Sequence, residues 1–426
     1  MILVQFCLVF LSTYLSTKIG NSSLVYLLFF PRRLTSYAIS ISASLRSLQN
    51  TPQTLFVQHT MSRKLIHVGV IGAGEVAQVI HLPTLQLLNH LYRIVTVCDL
   101  SPKAVGFCTS RYHIPTGTTD PYEVIDSPHI DLILNLTSDE FHETYTIAAL
   151  EAGKHVMVEK PLSLSLPSAQ RIIDAEKKAR NGARVFVGYM RRYAPTFVNA
   201  FKREVASIDR ILYARSRGIV GPNASFVSQS GTSATKFTDF PPEAAAVRTK
   251  LLGVLLQEAF PNQEVTQERR DYCRFLGSLG SHDLSLMREV LGFPESVTGV
   301  SVNEPFYSAI FKCRRNGEAF SVTYESGIDS VPRFDSHLTV YGENKTVSIQ
   351  YDTPYIKGLP IKVIIDEINE HGEAMTKEIL SSYEDAYTTE LKELHSCLTS
   401  GKAIKTTAED AMQDLILFKM MFEQYN

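Results

Sequence analysis

A β-branched run, Leu65 to Ile71, ends in Gly72-Ala73-Gly74-Glu75-Val76-Ala77, and a segment of helical period follows directly. This passage limits the fold more than any other. A buried strand, a glycine turn and a helix in that order make the first half of a βαβ unit. The string matches G-x-G-x-x-[GA]. Gly72 permits the tight turn, Gly74 lets the backbone approach a pyrophosphate, and Ala77 keeps the helix close to the sheet. The helix start, at Glu75 and Val76, supplies amide donors to phosphate. The next strand, Arg93 to Asp99, closes on an acid able to accept hydrogen bonds from adenosine ribose hydroxyls. Asp99 therefore favours NAD over NADP, because a 2′-phosphate would meet like charge there; Lys103 nearby works the other way. The plain alternatives are an ordinary glycine turn and an aspartate that only caps a helix. Strand, turn, helix and acid in sequence argue against both.

The alternation continues. Strands are expected at Asp131 to Leu136, His155 to Val158 and Ala183 to Tyr189. Helices are expected at Glu75 to His90, broken near Pro83, and at Phe141 to Ala152 and Ser168 to Ala179. Ser101-Pro102 reads as an N-cap and first-turn proline, and Gly153 as a helix stop. Right-handed βαβ units around a parallel sheet follow. Beyond residue 190 come a helix at Pro195 to Val205 and a strand at Ile208 to Gly218. Residues 219–270 then read as an insertion, polar and partly helical, placed to shape a substrate pocket. Six strand-like runs lie between Ser296 and Ile365, with turn signals such as Asn316-Gly317, and predict a mostly antiparallel open sheet. Helices at Ala386 to Thr399 and Thr407 to Tyr425 end the chain. The expected organisation is an extension over 1–60, a Rossmann domain over 61–190, and a substrate-binding and oligomerisation domain over 191–426.

Composition narrows the class. Of 426 residues, 44% are hydrophobic and 20% charged, which suits a folded globular chain rather than a disordered one. A formal charge of -2 does not suggest a nucleic-acid binder. Six scattered cysteines show no C-x-x-C pair, so neither a disulfide scaffold nor a zinc knuckle is expected, and reduced cytoplasmic thiols are the plain reading. No metal site is expected. The first 60 residues stand apart: no acid precedes Glu75, and the apolar runs Met1 to Tyr14 and Leu24 to Phe30 are too short for a membrane span. Secretory, mitochondrial and over-long-gene readings compete for this extension, and Met61-Ser-Arg-Lys, immediately before the first strand, favours an over-long gene or a dispensable extension.

A second candidate site is Glu159-Lys160-Pro161, at the end of a strand, where open α/β sheets bind ligands. A desolvated lysine there can exchange a proton with a substrate hydroxyl during hydride transfer, with Glu159 orienting it. Alone, the triplet is also consistent with a surface ion pair.

In order along the chain, Val70-Ile-Gly-Ala-Gly74, His81-Leu-Pro83, Cys98-Asp99, Thr137 with His142, Glu151-Ala-Gly-Lys-His-Val-Met-Val-Glu-Lys-Pro161 and Val187-Gly-Tyr-Met-Arg-Arg-Tyr-Ala-Pro195 resemble the Gfo/Idh/MocA family of glucose-fructose oxidoreductase, inositol dehydrogenase and relatives. The resemblance covers residues 64–218 well and 275–426 loosely. It implies that Lys160 is the catalytic lysine and that Gly72, Gly74, Glu75, Val76, Ala77, Asp99, Thr137, His142, Glu159, Lys160 and Arg191 hold NAD or NADP. It also implies that Tyr189, Arg192, Ser278 and His282 face a carbohydrate-like substrate. His282 falls on the family histidine and would assist Lys160. Ser278 stands where the family carries an acid, one helical turn before His282, so no carboxylate is available there. Asp283 should point elsewhere. The implied reaction is reversible hydride transfer between nicotinamide and a sugar, polyol or related diol, by a homo-oligomer. A non-catalytic NAD(P)-binding regulator and an enzyme that recycles NAD within elimination or glycoside cleavage are the alternatives.

Overall fold

The computed structural model describes residues 64–425; the extension over 1–60 lies outside the described residues. Six parallel strands come first: β1 (Ile66–Ile71), β2 (Tyr92–Cys98), β3 (Thr116–Thr118), β4 (Leu132–Asn135), β5 (His155–Glu159) and β6 (Val185–Gly188). They lie in the order β3-β2-β1-β4-β5-β6. This is the doubly wound order, whose direction reverses between β1 and β4 and leaves a crevice at the strand C-termini. β4 and β6 are buried at every residue, as expected of strands covered on both faces. The short edge strand β3 has no apolar period and was not expected from the sequence.

The break foreseen near Pro83 takes a specific form. Residues Ala77–His81 make a π-helical turn, and a regular helix, Leu82–Leu87, follows. Pro83 lacks an amide hydrogen and crowds the carbonyl four residues earlier, so the preceding turn widens. Ser101 accepts a hydrogen bond from Ala104 N as N-cap of the helix Pro102–Tyr112. Gly153, at φ +76°, follows the helix His142–Glu151.

The second sheet holds β7 (Ile211–Val220), β8 (Ser296–Asn303), β9 (Phe306–Arg315), β10 (Glu318–Ile328), β11 (Phe334–Gly342), β12 (Lys345–Tyr351), β13 (Lys362–Ile368) and β14 (Ala374–Ile379). Their order is β14-β13-β12-β11-β7-β10-β9-β8. Only β7 and β10 pair in parallel; the other pairs are antiparallel. Alternation is plain in β10, where Phe320, Val322, Tyr324 and Ser326 point to the core. After this sheet the chain returns to the first one: Val187 N donates to Thr406 O at 2.9 Å, and Tyr92 Oη to Leu391 O at 2.7 Å.

Within the insertion, the helix Ala244–Ala259 buries Leu252, Leu255 and Leu256 with Phe260, Leu164 and Cys273. Its Arg248 pairs with Glu140, and Glu258 with Arg171. The segment thus docks on the first half of the fold. Among the described residues no helix is long and apolar enough to cross a membrane.

Candidate active site

Gly72 adopts φ +102°, and a Cβ there would lie 2.6 Å from Leu136 O, so only glycine fits beside β4. Nothing lies within 4 Å of where a Cβ of Gly74 would be, and that residue's backbone is open. Ala77 is fully buried against the sheet. Asp99 accepts from Ala73 N at 2.8 Å and from Ser101 N at 2.9 Å, which fixes the carboxylate while each oxygen keeps a lone pair. A cavity of about 580 Å³ is bordered by Gly74, Glu75 and Asp99. A second, of about 280 Å³, adjoins it at Gly74, Asp99 and Phe240 and reaches Thr137 and Ser138. These volumes, the open glycine backbone and the helix N-terminus fit a dinucleotide.

The far wall of this cavity comes from the insertion. Gln78 Nε2 donates to Thr235 O at 3.1 Å, and Thr235 N donates to Gln78 Oε1 at 2.8 Å. Phe237 packs on Phe107 with ring centroids 5.6 Å apart. Residues 233–240 therefore form a strap across the glycine loop. The insertion was expected to shape the substrate pocket; this part of it covers the nucleotide side instead.

Lys160 leaves the end of β5, and its Nζ donates to Ser278 O at 2.9 Å. Close approach of the two segments depends on Gly277. A Cβ there would fall 2.7 Å from Leu164 Cδ2 and 3.1 Å from Pro161 Cγ. Leu276–Gly280 is another π-helical turn, leading into the helix Ser281–Leu291 that carries His282. Ser278 is exposed, and its hydroxyl donates to Phe275 O at 3.2 Å, so it is the backbone carbonyl at this position that meets Lys160. His282 Nδ1 is buried and has no partner among the described residues.

Burial lowers the pKa of Lys160 against the opposing charges of Glu159 and Asp139, and Arg191 lowers it further. Burial also holds His282 well below an ordinary histidine, with Lys160 and Arg191 adding to the effect. His282 is therefore a neutral imidazole. Glu159 behaves in the opposite sense. Burial would raise its carboxyl, but the hydrogen bond and charge of His81, with Lys160, outweigh this and hold it below the usual value.

Several expected roles change on inspection. Glu159 is buried behind the lysine: Oε1 meets His81 Nε2 at 2.7 Å, and Oε2 accepts from Lys160 N at 3.1 Å. It orients the Lys160 turn rather than lining the nucleotide cavity. His142 is also buried; its Nδ1 lies 2.7 Å from Pro161 O and its Nε2 3.1 Å from Thr137 O, so it ties two strand-end loops together. Arg191 is a buried wall of the site, paired with Asp283 and donating to Ser336 Oγ at 2.8 Å. Asp283 does point away from the opening, and its function is to hold that arginine. Tyr189 and Arg192 do not face a substrate. Arg192 donates to Glu289 Oε2 at 2.6 Å and to Asp410, and the Tyr189 hydroxyl lies beside Asp414. Both serve the packing of the C-terminal helix Ala408–Gln424. Val76 is half-buried against the core, and Glu75 stands at the cavity rim.

Nothing in the His81-Leu-Pro83 motif marks His81 as the partner of Glu159, and sequence reasoning missed it. It also missed Tyr355, whose hydroxyl accepts from Asn223 Nδ2 at 3.1 Å. Burial, then the charges of Glu75 and Glu159, push that phenol up to about 12. No sequence signal marked it. Among the described residues no cluster of His, Cys, Asp and Glu could hold a metal ion.

Fold and site define a dinucleotide-dependent oxidoreductase with a second, sheet-based half. Residues 66–189 match the model of the Gfo/Idh/MocA oxidoreductase family with its NAD-binding Rossmann fold, and residues 261–426 match that family's C-terminal alpha/beta domain. The chain belongs to this family. It is 24% identical to myo-inositol 2-dehydrogenase of Thermotoga maritima over 355 residues, 83% of this chain and 94% of that protein. Among solved structures, levoglucosan dehydrogenase in complex with NADH and levoglucosan superposes with a TM-score of 0.63 at 17% identity, covering 85% of this chain and 97% of that one. A 3-ketoreductase from Actinomadura kijaniata, in complex with TDP-benzene and NADP, gives a TM-score of 0.61 at 15% identity over 83% and 95% of the two chains. The shared fold thus accommodates either nucleotide.

Proposed function

We propose that the chain moves a hydride reversibly between a nicotinamide cofactor and a secondary alcohol carbon of a cyclic polyol or sugar. The observation that carries this reading is the convergence at the end of β5. Lys160 is docked on the Ser278 carbonyl, and His282, one turn further on, keeps an unpartnered ring nitrogen. The nicotinamide, when bound, accepts or gives the hydride. The amides of the glycine loop and Asp99 hold the nucleotide end. Lys160, with its lowered pKa, takes the substrate hydroxyl proton, and neutral His282 shares it. Arg191, fixed by Asp283, supplies positive charge beside the developing oxyanion. Ser278, exposed at this opening, offers a hydroxyl where relatives of the family carry an acid. The names of the relatives, an inositol dehydrogenase and a levoglucosan dehydrogenase, support a ring substrate rich in hydroxyls. Further support comes from the cysteines among the described residues, five in number, all free and buried, which suit a reducing cytoplasmic setting, and from the outer face of the second sheet, whose Tyr213–Tyr341 pair offers a surface for a second copy.

The test is turnover. With NAD or NADP and a panel of inositols, sugars and anhydrosugars, absorbance of reduced nicotinamide should rise with at least one substrate. In Lys160→Ala, kcat should fall about a thousandfold, while nucleotide Kd stays within about threefold of wild type. Undiminished turnover in that variant would remove Lys160 from the chemistry.

A further inference from the structure

The strap that covers the nucleotide cavity carries an acid to a telling place. Asp239 Oδ1 accepts from Ser101 Oγ at 2.5 Å, and Asp239 Oδ2 accepts from Lys103 N at 3.1 Å. Both donors stand at the start of the helix Pro102–Tyr112, directly after Asp99. Asp99 Oδ1 in turn accepts from Ser101 N at 2.9 Å. Two carboxylates from segments far apart in sequence therefore converge on one serine at the rim of the cavity that Gly74 and Asp99 border.

An anion seeking this rim would need the donors of a helix start: a hydroxyl and a backbone amide beside the positive end of the dipole. Asp239 has taken both. It also places a second negative charge next to Asp99. Lys103 and Lys236 are the nearby cations, and both are exposed. Ammonium groups on long, hydrated stems are screened, whereas the two carboxylates are pinned by hydrogen bonds.

We propose that Asp239, delivered by the strap, is a second selectivity acid that acts with Asp99 to admit NAD and reject the 2′-phosphate of NADP. Asp99 alone leaves the Ser101 hydroxyl and the Lys103 amide open to that phosphate; Asp239 closes this route by occupancy and by charge. The inference rests on the nicotinamide-cofactor reading above and extends it to a residue outside the Rossmann half.

The experiment is a comparison of Kd for NAD and NADP, by calorimetry, on the full chain and on Asp239→Asn. Asparagine keeps an acceptor for Ser101 while it loses the charge and the second acceptor, the one that meets Lys103 N. Wild type should bind NAD at least tenfold more tightly than NADP. In Asp239→Asn, the Kd for NADP should tighten about tenfold, as expected for removing one charge a few ångströms from a phosphate dianion near water, with the Kd for NAD within about threefold. Parallel weakening of both nucleotides would make Asp239 a strap anchor only and overturn the inference, as would a wild type that does not discriminate or a ratio unchanged by the substitution. Failure of wild type to bind either nucleotide would instead sink the cofactor reading beneath it.

Discussion

Arg191 and Arg192 are neighbours in sequence and belong to regions of different character. Arg191 joins Asp283 and Ser336 on the wall of the candidate site, where polar atoms are left over: Arg191 Nε, Asp283 Oδ2 and His282 Nδ1 are buried without partners among the described residues. Arg192 turns the other way into a crowded ion network. It binds Glu289 and Asp410, while Arg288 binds Asp410 at 2.8 Å and Asp414 at 2.9 Å, and Lys405 reaches Glu289 at 3.2 Å. One region pairs its charges densely, with Asp414 Oδ2 left buried and without a partner among the described residues, and fastens the C-terminal helix to β6 and the second sheet. The other stays short of partners, and there burial, with the charge of Arg191, lowers the pKa of both Lys160 and His282. The difference teaches that the function of a buried arginine is read from what its partners leave unsatisfied, since both guanidinium groups are equally hidden.

The comparison can be broken by removing each arginine in turn. Arg192→Ala takes one partner from each of Glu289 and Asp410, leaving them to Lys405 and Arg288, and should cost about 3 kcal/mol in denaturant unfolding, the low end for breaking a buried pair. Protein that remains folded should keep the wild-type pH profile. Arg191→Ala should cost less stability, about 1–3 kcal/mol, because burial already raises the pKa of Asp283 and the freed acid can take up a proton. Its effect falls on chemistry. The charge of Arg191 lowers the pKa of both Lys160 and His282, so its loss should move the acid limb of alcohol oxidation to higher pH and reduce kcat at neutral pH about tenfold. Equal shifts of that limb in the two variants would erase the distinction between the regions.

Much of this was legible before any coordinates, and the limits follow from chain physics. Gly72, Gly74, Asp99 and Lys160 lie at strand ends where a few adjacent residues fix the local geometry. Tyr189 and Arg192 were misread because a motif string does not say which way a side chain turns. Their partners, Glu289, Asp410 and Asp414, are supplied by a distant helix. The strap was invisible for a related reason: nothing in residues 233–240 hints at Gln78 or Ser101. The π-helical turns at Ala77–His81, Phe197–Phe201 and Leu276–Gly280 carry no mark of their own, because the apolar period of their segments is that of an ordinary helix. β14, with mostly exposed residues, lacks the alternation that marked its neighbours.

The smallest expected effect concerns acid stability. His282 is neutral when folded and held well below its ordinary value near 6.5. In the unfolded chain it protonates normally, so proton uptake favours unfolding and stability falls as pH drops below about 6.5. Glu159 works in a lower window: its depressed folded pKa contributes stability above about 4.5 that is lost on further acidification. His282→Gln should flatten the decline of the urea midpoint between pH 6.5 and 5 and leave the lower limb intact. A decline as steep as in wild type would assign it to another group.

The strap has a temporal side as well. Thr235, which clamps Gln78, is made 157 residues after it. At ribosomal speeds of about 5–20 residues per second, the glycine loop waits roughly 8–30 s for the piece of chain that roofs it. A nascent chain in that interval presents an open-faced nucleotide site, and only a chain grown past the strap can enclose a coenzyme there.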